Sequence, residues 1–214
     1  MAEIVITFDG TAASGKGSIA RRVAEHFGFA YLDTGRLYRA LALLIRMNNL
    51  EGKDFFPEIQ NLSKRITPLL LSDNVLYEGS IGDVASKIAS FSEVRAALLQ
   101  YQKDFIKNNK GVVLDGRDTG SIICPEAQHK FFVDADPEVR AKRRFLQQEE
   151  LGLPEQTYEE ILGKLIDRDK RDKERDVAPL IVPEGAVEID NTNSSISEVV
   201  QRVICIIKQT IVAG

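Results

Sequence analysis

The sequence predicts an α/β fold whose mostly parallel sheet is covered by helices on both faces. Three observations predict it. Short apolar, β-branched-rich runs recur along the chain, as buried strands do. Segments with apolar residues at helical spacing separate them, the alternation that parallel sheets require. A glycine-bearing loop joins the first such run to the first helical segment, at residues 9–15.

Each element follows from its residues. Ile4–Phe8 is the first strand. Ile19, Ala20, Val23, Ala24 and Phe27 then repeat at helical spacing, and Gly28 stops that helix. Phe29–Leu32 is a second strand, and Leu37–Met47 a strongly apolar helix. From about 51 to 108 the character changes, with Gly52, Pro57, Pro68, Gly79 and Gly82 as break points. Leu69–Leu71 and Val75–Tyr77 read as short strands there. Helical pattern returns from Val84, and again over Glu93–Asn108. We therefore expect one domain over 1–214, with a core at about 1–50 and 109–214 and an insertion at about 51–108. Gly111–Asp115, Lys130–Val133 and Ala186–Ile189 complete the strands. Helices are expected over 137–151, 157–173 and 196–210.

Composition narrows the function. The 214 residues are 43% apolar and 28% charged, enough for a sizeable core and unlike a disordered chain. Lys plus Arg is 28 and Asp plus Glu 32, a net charge of −4. That balance, with 7% aromatic residues and no Trp, argues against nucleic acid as a partner. Cys124 and Cys205 make neither a disulfide framework nor a zinc site. His26 and His129 are far apart and read as boundary residues, not metal ligands. No apolar run approaches the ~20 residues of a membrane span, and no signal peptide opens the chain. A cytoplasmic monomer acting on small molecules is the expectation.

Gly10-Thr11-Ala12-Ala13-Ser14-Gly15-Lys16 fits G-x-x-x-x-G-K between a strand and a helix. In such a loop successive backbone N–H groups cradle phosphate oxygens, and the helix N-terminus adds about half a positive charge. Lys16 reaches the β- and γ-phosphates. Gly17 stands where most P-loops carry a Mg²⁺-binding hydroxyl, and Ser18 follows it. Mg²⁺ is therefore expected through the nucleotide phosphates, water and a carboxylate such as Asp9 or Asp115, with no protein ligand assigned. The G-K-G-S form argues against a GTPase or motor ATPase.

Arginines supply the remaining positive charge. Asp33-Thr34-Gly35-Arg36-Leu37-Tyr38-Arg39 follows the second strand, and Gly116-Arg117-Asp118-Thr119-Gly120-Ser121 follows the strand ending at Asp115. Ligands of open α/β sheets bind at such strand ends. Farther on, Arg168, Asp172 and Arg175 share one helix face, and Arg140, Arg143 and Arg144 share another. Joined by the turn around Gly152 and Pro154, those two helices are expected to form a lid over about 140–176. A lid excludes water from phosphoryl transfer and neutralises its charge.

These motifs, taken together and in this order, resemble the bacterial cytidylate kinases. The likeness rests on Gly15-Lys16-Gly17, Leu32–Gly35 with Tyr38-Arg39, Asp115–Ser121, the Arg168–Arg175 run and Val177–Leu180. It spans essentially the whole chain. The resemblance implies a nucleoside-monophosphate-kinase fold and Mg²⁺-dependent transfer of the ATP γ-phosphoryl to CMP or dCMP. It implies that Gly10, Thr11, Ala12, Ala13, Ser14, Gly15, Lys16, Gly17 and Ser18 bind the ATP phosphates, with Arg140, Arg143 and Arg144 as lid contacts. It implies that Ser86, Arg95 and Asp118 read the cytosine and that Arg168 and Asp172 hold the ribose. It places Arg39, Arg117 and Arg175 on the acceptor phosphate, with Thr34 beside them. Lys16, Arg117 and Arg175 are then the catalytic residues. Thr11, Ala12 and Ala13 replace the loop's common residues with other small ones, and Arg36 replaces a small residue. The alternatives are a nucleotide-binding regulator without turnover, or a P-loop kinase for another acceptor such as UMP.

Overall fold

Five strands form a single parallel sheet: β1 (Ile4–Gly10), β2 (Ala30–Asp33), β3 (Gly111–Asp115), β4 (His129–Asp134) and β5 (Val187–Asp190), in the order β2-β3-β1-β4-β5. The structure is a computed structural model that describes residues 3–50, 54–153 and 156–212. Two expected break points, Gly52 and Pro154, lie outside the described residues. Among the described residues no helix is long and apolar enough to cross a membrane.

The period of two along each strand explains the layers. On β1, Val5 packs to one face while Ile6 and Phe8 pack to the other. On β3, Val112 and Leu114 face one layer and Val113 the opposite one. Helix α1 (Lys16–Phe27) and the C-terminal helix, α9 (Ile196–Val212), cover the Ile6 face through Ile19, Val23, Val203 and Ile207. Helix α2 (Thr34–Met47) covers the Val5 face through Leu37, Leu41 and Leu44. Asp33 caps α2 by accepting from the Arg36 N–H, so that helix starts three residues before the Leu37 expected from apolar spacing.

The 54–107 segment is helical throughout its regular structure. It holds α3 (Ile59–Ser63), α4 (Pro68–Ser72), a 3₁₀ turn at Asn74–Tyr77, α5 (Gly79–Ile88) and α6 (Ser92–Lys107). This corrects the two short strands expected at Leu69–Leu71 and Val75–Tyr77. Thr67 caps α4 with Pro68 in its first turn, and Asp73 caps the 3₁₀ turn. Local capping decides between helix and strand for apolar runs this short.

Helices α7 (Pro137–Glu150) and α8 (Tyr158–Glu174) pack together over the loop after β1. Ala12 from that loop is buried with Ala141, Ile161 and Leu165. Asp136 with Pro137 starts α7, and a reciprocal Thr157–Glu160 capping box starts α8. After β3 the chain winds into one π turn at Thr119–Ile123, a form concentrated at functional sites.

Candidate active site

The parallel register brings the carboxyl ends of the strands into one line. Asp33 pairs with Asp115, and Asp115 pairs with Phe8, just before the glycine loop. Gly10 has φ 143°, and a Cβ there would stand 1.9 Å from the Val133 carbonyl oxygen, so only glycine fits. Gly15 has φ 90°, with Asn191 against the position of its missing Cβ. Ala13 also adopts a left-handed φ of 59°, a strained choice for a residue with a Cβ.

Lys16 opens α1 and is buried. Its ammonium donates to the Thr11 carbonyl at 3.1 Å and lies 3.8 Å from Asp115 Oδ1. Burial and the nearby Arg117 guanidinium push its pKa below 10.5. Burial pushes the Asp115 carboxyl up, against the pull of Lys16. Asp115 Oδ2 accepts from the Tyr31 hydroxyl at 3.2 Å. The same oxygen lies 2.7 Å from where a Cβ on Gly17 would be, so the departure at Gly17 makes room for Asp115.

Asp9 does a different job from Asp115. Its carboxylate is fully buried and accepts from Thr119 N–H, Thr119 Oγ1–H and Gly120 N–H at 2.8, 2.9 and 2.7 Å. Burial raises its pKa to about 6, against those donors. With its oxygens so engaged, Asp9 is not a candidate for Mg²⁺. Asp115, with Asp33 beside it in the same cleft, is.

This cleft holds about 750 Å³ and is walled by the phosphate loop, Asp33, Asp115, Arg39, Arg117, Arg144 and Arg168. Asp172, 2% exposed, is the carboxylate at the centre of the arginines. Arg117 Nε lies at 3.0 Å, Arg175 Nη1 at 3.6 Å and Arg168 Nε at 3.7 Å. Burial alone would raise Asp172, but these guanidinium groups hold its pKa below 3.8. Arg39 is pushed down by burial and then by Arg168 and Arg144, and Arg168 by burial and Arg117 to about 10. Arg175 Nη2 is a buried donor without a partner. Crowded, desolvated guanidinium groups with a spare donor make a site for a multiply charged anion.

A smaller cavity of about 40 Å³ adjoins the cleft, lined by Tyr38, Ser86, Arg95, Asp118 and Arg175 among others. Arg95 and Asp118 form an ion pair there, and Arg95 lies 5.7 Å above the Tyr38 ring. The Ser86 hydroxyl accepts from Arg171 Nη1 at 2.8 Å. The Thr34 hydroxyl donates to the Asp115 carbonyl at 2.8 Å, joining α2 to the end of β3.

The fold thus gathers Lys16, Arg39, Ser86, Arg95, Arg117, Asp118, Arg168, Asp172 and Arg175 around two adjoining cavities. Arg140 is placed otherwise. It is 2% exposed, pairs with Asp169 at 2.6 Å and donates to the Ala12 and Ala135 carbonyls. It bolts α8 to the phosphate loop. Arg144 donates to the Tyr77 carbonyl and lies over that ring. Arg36 occupies the same ring at 4.7 Å and donates to the Leu71 carbonyl, so it braces the 3₁₀ turn.

Arg143, expected as a lid contact, lines the cleft, and Tyr38 and Asn191 join the site without having been assigned a role from sequence. Arg143 Nη2 donates to the Asn191 carbonyl at 2.8 Å, and Asn191 Nδ2 to the Ser14 carbonyl at 2.7 Å. The available signal for Asn191 was its place just after the last strand.

Comparisons with known proteins place the chain in a family. A cytidylate kinase family model matches residues 6–209. A cytidylate kinase of Rhodopseudomonas palustris is 42% identical over 207 residues, covering 96% of each chain. One from Afipia carboxidovorans is 43% identical, covering 96% of this chain and 98% of its own. An uncharacterized protein of Eubacterium ventriosum shares the fold at TM-score 0.50 and 14% identity, covering 97% of this chain and 99% of its own. With the phosphate loop, the arginine cluster and the Asp118 loop in place, the chain belongs to the cytidylate kinase family.

Proposed function

We propose that the chain transfers the γ-phosphoryl group of ATP to CMP or dCMP, giving ADP and CDP or dCDP. The observation that carries this reading is the adjacency of the two cavities. One offers a phosphate cradle and buried arginines, and the other offers Asp118 beside Arg95.

ATP is held with its phosphates on the loop from Gly10 to Ser18 and on Lys16. The acceptor phosphate takes the place the arginines leave for an anion, gripped by Arg39, Arg117 and Arg175. Its oxygen is ionised at neutral pH, so the reaction needs no general base. Positioning and charge neutralisation carry the catalysis. Mg²⁺ favours oxygen ligands and retains water. Asp115 and Asp33 are the carboxylates that fit it, and when bound it neutralises charge on the transferred phosphoryl group.

Cytosine presents an N4 donor with N3 and O2 acceptors. Asp118 accepts from N4, and Arg95 donates toward N3 and O2. The 40 Å³ cavity is too small for a nucleobase, so entry of the base separates the Arg95–Asp118 pair and replaces each partner with a base contact. Uracil turns O4 toward Asp118, acceptor against acceptor, and is rejected.

An ADP-release assay with ATP and Mg²⁺ tests this against CMP, dCMP, UMP, AMP and shikimate, beside Lys16→Ala. The expected result is turnover confined to CMP and dCMP and lost in the variant. Efficient turnover of UMP or AMP with none on CMP would overturn the assignment.

A further inference from the structure

Asp9 lines neither cavity, yet its carboxylate joins the phosphate loop to the base-facing turn. It lies one residue before Gly10. It engages the two backbone N–H groups directly after Asp118, at Thr119 and Gly120, together with the Thr119 hydroxyl. Those N–H groups open the π turn, where the turn itself gives them no acceptor. The turn presses closely on this anchor. A Cβ on Gly120 would stand 2.7 Å from Thr7 Oγ1 and 3.3 Å from Asp9 Oδ2. A Cβ on Gly116 would stand 2.5 Å from Thr34 Oγ1 and 2.6 Å from Thr119 Cγ2. The backbone on both sides of Asp118 is therefore seated as near to β1 and α2 as glycine permits.

We infer that Asp9 is a positioning residue for acceptor specificity: it fixes the Asp118–Gly120 backbone and so aims the Asp118 carboxylate at the base. This rests on the reading of Asp118 as the base-contacting residue. A carboxylate suits the task because it accepts from all three donors at once and donates to none. An asparagine in its place would turn an NH₂ group toward one of those donors. The expected fault is a shifted turn, felt by the base and not by ATP.

Steady-state kinetics of Asp9→Asn, Gly120→Ala and Asp118→Asn with CMP, UMP and ATP test the inference. For Asp9→Asn, KM for CMP should rise about tenfold or more and the CMP-to-UMP ratio of kcat/KM should fall about tenfold, the scale set by a misplaced buried hydrogen bond. KM for ATP should stay within about twofold, because the Lys16 and glycine-loop contacts are untouched. Gly120→Ala keeps Asp9 and lifts the turn from it, so it should show the same split and keeps the test open should Asp9→Asn fail to fold. Equal rises in KM for CMP and ATP, or an unchanged CMP-to-UMP ratio in both variants, would overturn the inference. If Asp118→Asn alters that ratio and the other two do not, the role of Asp9 falls and base reading by Asp118 stands. If Asp118→Asn leaves it unaltered, base reading itself falls.

Discussion

Lys16 shows how burial and function meet in a single side chain. Burial and then the nearby Arg117 guanidinium lower the pKa of its ammonium in the free protein, against the pull of Asp115. Bound phosphates favour the charged form and raise it again. The basic limb of kcat/KM for ATP should therefore fall below pH 10.5, and the limb of kcat should lie at higher pH. Coincident limbs would contradict the Lys16–phosphate contact. Gly17 is constrained by Asp115, so Gly17→Ser should destabilise the fold by about 1–3 kcal/mol through overpacking, read by urea denaturation. Arg175→Ala should weaken transition-state binding by about 1.5–3 kcal/mol in kcat/KM for CMP. The glycine loop and Lys16 were legible because strand, loop and helix are contiguous. The anchoring role of Asp9 was not, since its partners follow a strand far along the chain, and a carboxylate before a phosphate loop suggests Mg²⁺ equally well.

Elements were legible wherever a long period or a cap marked them. The Thr157–Glu160 capping box and Asp136-Pro137 fix the starts of α8 and α7. The apolar runs at Leu69–Leu71 and Val75–Tyr77 were too short for period alone to choose between strand and helix. Thr67 and Asp73 made the choice by capping. Spacing grouped Arg140, Arg143 and Arg144 on one face of α7, but packing divides their work. Arg140 reaches Asp169 and the loop, Arg143 the turn after β5, and Arg144 the 3₁₀ turn. Arg140→Met should destabilise the protein by about 3–5 kcal/mol, because Asp169 loses its buried partner. A change below 1 kcal/mol in urea denaturation, roughly the value of an exposed pair, would place Arg140 outside the framework.

At the scale of the whole molecule, the cleft is assembled from distant stretches of chain. The loop after β1 and the turn after β3 come from the sheet, while α5 and α8 close over them. Ser86–Arg171 and Lys164–Asp83 join α5 to α8 across the cleft. The parallel, helix-covered fold class was legible from the alternation of apolar strands and helices, but the strand order β2-β3-β1-β4-β5 was not. These cross-cleft bonds depend on tertiary packing, which no local spacing encodes. On the proposed function, this assembly selects a base with an amino group facing Asp118. The most direct test is the CMP-to-UMP ratio of kcat/KM in the wild type and in Asp118→Asn. The wild type should favour CMP strongly. The variant, whose amide can donate to O4, should move at least about tenfold toward UMP. A wild type indifferent to the two bases, or a variant with the wild-type ratio, would contradict recognition of cytosine by Asp118.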